Sequence, residues 1–230
     1  MVPGQFRYPF RGDHRFDTLL VGGGLHLLAV YVPVVPLVAA LGYLVVVLRD
    51  TSEREDRARY DALPAFRRVR EILRYGVGAT VVVCSFLVPA AVVLLVTVAG
   101  ITQAPVSPTD VSLGTSLGFV LGSTASLLLA AAFTYLLPAA LANYAATGRL
   151  RAAFDGSVLV RAAGHGAYFY DVVLGLVVGA VLLVVAGATT TFAVGFFVAF
   201  YAELVTVAFW SRGVSRALPG VTAAAGSETA

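Results

Sequence analysis

The chain has 230 residues, 59% of them hydrophobic and only 13% charged, with a mean hydropathy of +0.87. Soluble domains carry about 25% charged residues, so this composition excludes a soluble globular protein and indicates an integral membrane protein. The formal charge of +3 comes from sixteen basic residues, all arginine, against thirteen acidic ones; they lie in short segments between apolar runs, which is not a nucleic-acid footprint.

The single Cys84 lies inside an apolar run, so no disulfide framework or thiol metal site is expected, and no cofactor. The first eighteen residues are too long and too mixed in charge for the n-region of a signal peptide, and the apolar run that follows is too long for its h-region. In that basic-aromatic tail (1–18), Arg7, Arg11 and Arg15 alternate with Phe6, Tyr8, Phe10 and Phe16. The pattern suits either a segment at the lipid headgroups or a disordered tail.

Leu19–Leu48 is a thirty-residue apolar run with Pro33 and Pro36 at its centre. As one helix it would be roughly 45 Å long, against a hydrocarbon core of about 30 Å. Proline removes a backbone donor and pushes the preceding residue out of the helical region, so Val32 and Val35 are both disfavoured as helix. The run reads as a re-entrant hairpin with arms Leu19–Val32 and Leu37–Leu48, or as a single kinked span. Gly22, Gly23 and Gly24 offer a place for close packing.

A polar stretch follows, and then Leu63–Tyr75, predicted as a basic amphipathic helix of the kind that lies on anionic headgroups. It puts Phe66, Val69, Ile72 and Leu73 on one face, with Pro64 in its first turn. Gly76–Ile101 is a span interrupted by Pro89, and Gln103–Leu113 is a proline-containing loop without a basic residue. Gly114–Asn143 is a small-residue-rich span with Gly118 and Gly122 in small-xxx-small spacing. Arg149–Gly166 is a second amphipathic, mildly basic segment. Tyr168–Ala186 and Thr191–Trp210 are spans joined by a turn at Gly187–Thr190. The expected architecture is all-α: a polytopic helical bundle of four spans, a proline-broken first element and two interfacial helices. One membrane domain (19–215) precedes a C-terminal tail (216–230) expected to be disordered.

Three arginines precede Leu19, eight lie in Arg49–Tyr75, three in Tyr144–Ala167 and two after Trp210; the two remaining connections have none. Positive residues collect on the cytoplasmic side. A hairpin places all sixteen arginines inside, whereas a single span places thirteen inside and three outside. Either way the C-terminus is cytoplasmic in a multi-pass protein of the cell membrane. A basic segment followed by two spans occurs twice, each with an Ala-Phe pair near its start (Ala65-Phe66 and Ala153-Phe154), a weak internal repeat.

Several ordered segments carry a resemblance: FRYPFRGD and LLVGGG (Phe6–Asp13, Leu19–Gly24), GYLVVVLR (Gly42–Arg49) and LPAF (Leu63–Phe66). Later come LLPAALANYAATGRLRAAFD (Leu136–Asp155) and FFVAFYAELVTVAFWSRGVS (Phe196–Ser215). Through them the chain resembles an archaeal, largely haloarchaeal (halophile) membrane-protein family, domain of unknown function 4013. RRVREILR after Phe66 departs from the acidic-aromatic pattern expected there. The resemblance implies a multi-pass fold and no activity.

Ionisable groups inside spans are the first functional suspects. Glu203 lies in the last span, His26 in the broken first element, and Asn143 at the end of the small-residue span. His26 fits a structural role, bonded to a carbonyl, better than a metal ligand, since no second histidine is at ligand spacing. Asn143 fits packing, and Asp171 reads as an N-terminal cap of its helix. Walker, paired-histidine and nucleophile-elbow motifs are absent from the sequence, so an enzyme is not expected. The expected function is a non-enzymatic membrane organiser that engages anionic headgroups, a second copy or a protein partner. The alternative is a small-solute transporter or channel whose path runs by the broken element, lined by Glu203, Asn143 and His26.

Overall fold

A computed structural model describes residues 4–54, 59–66, 68–102 and 113–219, and among these every regular element is helical. The helices are α1 (Gly4–Arg7), α2 (Arg15–Leu28), α3 (Val34–Glu53), α4 (Val69–Thr102), α5 (Leu113–Thr147), α6 (Gly156–Ala163), α7 (Gly166–Thr189) and α8 (Val194–Ala217). Short 3₁₀ turns occupy Tyr8–Phe10, Leu150–Phe154 and Thr190–Phe192. Five helices are long and apolar enough to cross a membrane, namely α3, α4, α5, α7 and α8.

The chain divides into two compact units, one of Met1–Val82 with Pro138–Ala230 and one of Val83–Leu137. The larger is organised around α8. Half of its spanning window is buried, against 22% for α7. α7 and α8 pack antiparallel through small residues: Gly175 faces Phe209 and Trp210, and Gly179 faces the Thr206 side chain. Their connection turns at Ala193, whose φ of 58° lies in the left-handed region. On α2, Gly22 and Gly23 seat the rings of Phe200 and Phe197. Where α3 meets α4, Gly42 lies against the Ile72 carbonyl and the Gly76 backbone, while Gly76 lies against the Val38 carbonyl. Only hydrogen at both Cα atoms permits that approach.

Polar contacts gather one end of this unit. The Tyr8 and Tyr60 rings are 5.6 Å apart, and Tyr201 donates from its hydroxyl to the Phe6 carbonyl at 3.1 Å. Tyr60 donates to the Ala208 carbonyl at 2.9 Å. Arg59 donates to the carbonyls of Thr51 and Ser211 at 3.1 and 3.3 Å. Arg49 donates to the Tyr75 hydroxyl at 3.0 Å, and Tyr75 in turn to the Ala145 carbonyl at 3.4 Å. The N-terminal segment, the starts of α4 and α7 and the ends of α3, α5 and α8 therefore share one end. The apolar run leaves this end as α2 and returns to it as α3.

In the smaller unit Ser126 donates to the Ala90 carbonyl at 2.9 Å, and Phe86 meets Phe133 edge-on at 5.8 Å. Gly122 lies against Thr97, whereas Gly118 has open space around it. Only one member of the small-residue pair is used here.

Several expectations need correction. The break at the prolines is real but sits at 29–33, with Pro33 as the N-cap of α3. Pro36 falls in the first turn, where a missing N–H costs nothing, so Val35 is helical. The second arm is therefore the twenty-residue Val34–Glu53, long enough to span, rather than the shorter Leu37–Leu48. The first arm has fourteen residues, about 21 Å, and is shorter than a span. The amphipathic helix over Leu63–Tyr75 does not form as such. The described residues from Leu63 to Arg68 are irregular, and α4 starts at Val69. The Pro64 carbonyl accepts from Tyr43 at 2.7 Å, and Phe66 stacks on the Tyr43 ring at 4.5 Å, which holds this stretch extended. The α7–α8 turn lies at 190–193, beyond the expected Gly187–Thr190. The loop at 103–112 and the tail from 220 onward lie outside the described residues, while the first residues of the tail expected from 216 continue α8 to Ala217, with Arg216 paired to Asp171.

Candidate functional site

The fold joins two of the three intramembrane polar candidates. His26 is near the end of α2, and Glu203 is the tenth residue of α8, which continues to Ala217. Glu203 is thus near mid-helix. His26 Nε2 lies 3.1 Å from Glu203 Oε1, and His26 Nδ1 lies 2.9 Å from the Gly22 carbonyl oxygen. The Phe200 ring, seated on Gly22, is 5.8 Å from the imidazole.

These contacts define the protonation chemistry. A carbonyl only accepts, so Nδ1 carries a hydrogen and Nε2 is left facing the carboxylate. One further proton lies between Nε2 and Oε1, held as imidazolium with carboxylate or as carboxylic acid with neutral imidazole. The second oxygen, Oε2, is buried without a hydrogen-bond partner among the described residues. The pair couples the broken element to α8 across 177 positions of sequence.

A double-mutant cycle between His26→Ala and Glu203→Ala is expected to give a coupling of about 1 kcal/mol, the range of interhelical hydrogen bonds in membranes. Glu203→Gln is expected to retain most of it, because the amide donates to the neutral ring. Unfolding in detergent reads both, and strictly additive alanine effects would contradict the contact.

Asn143 is not part of this pair. It is buried at the end of α5, where its Nδ2 donates to the Ala152 carbonyl at 2.8 Å. Its own carbonyl accepts from Thr147 at 2.8 Å. It fastens the turn through Gly148, whose φ is +64°. Pro33 and Pro36 delimit the start of α3, whereas the polar partners of His26 are Gly22 and Glu203.

Asp171 corrects another expectation. His165, not Asp171, is the N-cap of α7. Asp171 is fully buried and accepts a two-pronged contact from Arg212, with Nε at 3.0 Å and Nη2 at 2.7 Å from Oδ1. Arg216 adds a contact to Oδ2 at 3.5 Å. Sequence reasoning missed this cluster. Its available signal was an arginine pair four residues apart at the end of a span, opposite an aspartate in the neighbouring one.

Among comparisons with known proteins, the model of a family described as a protein of unknown function (DUF4013) matches residues 25–192. No curated protein and no solved structure matches the chain.

Proposed function

We propose, for a chain that belongs to the DUF4013 family, that it is a non-enzymatic organiser of the cell membrane, with both termini and the arginine-rich end on the cytoplasmic side. The observation that carries this reading is the gathering at one end of the N-terminal segment, the 49–75 connection, the end of α5 and the end of α8. Those segments hold the arginines, and a basic end next to long apolar helices suits anionic headgroups, about 1 kcal/mol per arginine near the surface. The open space at Gly118 leaves a small-residue face for a second copy or a protein partner. An archaeal, halophilic origin is part of this reading and rests on the ordered residue matches alone.

The test is the lipid that accompanies the protein when it is excised from a mixed membrane with its lipid annulus. Several-fold enrichment of anionic lipid over the bulk is expected. An annulus identical to the bulk would contradict an organiser of this kind.

The His26–Glu203 pair favours a second reading, a proton-linked transporter of a small solute whose path runs beside α2. Solute uptake into proteoliposomes that responds to a pH gradient and is lost in Glu203→Gln supports it; a tight, flux-free membrane argues for the organiser.

A further inference from the structure

Six described arginines in this protein have an acidic partner. Arg11 pairs with Asp61, Arg49 with Glu53, Arg54 with Asp50, Arg68 with Glu71, and Arg212 and Arg216 share Asp171. Arg149 and Arg151 make no ion pair among the described residues, and both are exposed. They follow Gly148, whose left-handed backbone ends α5 and turns the chain aside, with its N–H donating to the Tyr144 carbonyl at 2.8 Å.

Beside them lies a cavity of about 660 Å³, lined by Asn143, Thr147, Arg149, Arg151, Phe154 and Asp155 among others. That volume is in the range of ligand sites, about 300–1,000 Å³. Leu150 and Phe154 flank the arginines and are 42% and 47% exposed. Two guanidinium groups and two exposed apolar side chains on one 3₁₀ turn, at the end of a spanning helix, match the boundary between headgroup and acyl chain. The exposed leucine and phenylalanine beside the two arginines favour an amphiphile over a purely ionic ligand. Asp155 caps α6 by accepting from the backbone N–H and hydroxyl of Ser157 at 3.0 and 2.8 Å. Those two bonds hold its carboxyl below the ordinary value, so it stays ionised and opposes an anion. Two arginines against one carboxylate leave a net positive site.

We propose that this pocket binds the phosphate of an anionic phospholipid headgroup, with Arg149 and Arg151 as the phosphate ligands and Leu150 and Phe154 against the acyl region. The proposal rests on the organiser reading and deepens it by naming the site.

The test uses the full chain, delipidated in a neutral detergent, with binding of dioleoyl phosphatidylglycerol counted by native mass spectrometry. The same-chain phosphatidylcholine and inorganic phosphate are run as separate arms. Arg149→Gln/Arg151→Gln is expected to weaken phosphatidylglycerol binding about thirtyfold, while Arg15→Gln, at the start of α2 and outside the pocket, leaves it unchanged. Asp155→Asn keeps the helix cap, because asparagine caps as well as aspartate, and is expected to tighten binding. This variant carries the test should the arginine double variant fail to fold. Equal affinity in wild type and all variants overturns the proposal, as does equal binding of phosphatidylcholine. Competition by inorganic phosphate as strong as by the lipid assigns the pocket to free phosphate and also overturns it. If anionic lipid is enriched around the wild type yet the pocket variants change nothing, the site is wrong and the organiser reading stands. If the wild type shows no anionic preference, both fall.

Discussion

Asp171→Ala is expected to cost about 3 kcal/mol of stability, the lower end of the range for breaking a buried ion pair. The carboxylate is fully buried and holds Arg212 through three hydrogen bonds of 2.7–3.1 Å, tying the first turns of α7 to the last of α8. Removing it leaves two arginines without their partner. The lower end applies because the Arg212 and Arg216 side chains are 28% and 45% exposed, so the stranded charges reach solvent or headgroups in part. Asp171→Asn keeps the shape and one acceptor and is expected to cost less. The double variant Asp171→Ala/Arg212→Ala should lose less than the two single losses combined, since neither charge is then left alone. Thermal unfolding in detergent measures all of these, and additive single losses would show that the contact contributes nothing.

Gly42→Ala should be as damaging through a different cause. A Cβ at 42 would coincide with the Ile72 carbonyl oxygen and crowd the Gly76 backbone, and one at 76 would meet the Val38 carbonyl. The obstacles are backbone atoms of α3 and α4, which cannot rotate away as a side chain would. The helices must separate, at a cost of about 3 kcal/mol, the upper end for overpacking. Gly24→Ala is the matched control. It sits in α2 with nothing near its Cβ position, so the loss of glycine entropy should make it neutral or stabilising by about 0.5–1 kcal/mol. A Gly42 variant as stable as the Gly24 one would refute the close approach of α3 and α4.

The spans were legible from hydropathy because burial in lipid demands long apolar helices whatever the tertiary partners. The break before Pro33 was legible for a local reason, the lost donor and the restricted residue before proline. The arm after it was read too short, because Pro36 was counted as a breaker when its place in the first turn makes it harmless. The helix over Leu63–Tyr75 was overcalled because its apolar spacing is helical, while Tyr43, twenty residues earlier, claims the Pro64 carbonyl and the Phe66 ring. No local pattern encodes that competition.

The site divides along the same line. Asn143, read from the sequence as a packing residue, donates to the Ala152 carbonyl beyond the end of α5, a partner that its position alone did not specify. His26 and Glu203 each stood out as ionisable groups in apolar surroundings, but their contact depends on how α2 crosses α8. Gly22 and Gly23 permit that crossing by giving room to Phe200 and Phe197. Asp171 looked like a cap because carboxylates favour the first turn, and its true partners are set by the register of α7 against α8.

The hairpin formed by α2 and α3 decides on which side of the membrane the N-terminal tail lies. Its most direct test is membrane-impermeant thiol labelling of intact cells, with Cys84 replaced by alanine. One lone cysteine replaces Asp13 and, in a second protein, Thr191, both exposed and on either side of the spans. Labelling at position 191 in intact cells, with position 13 reacting only after lysis, is the predicted result. Position 13 labelled in intact cells would mean that the first apolar run crosses the membrane, with three arginines outside and the hairpin wrong.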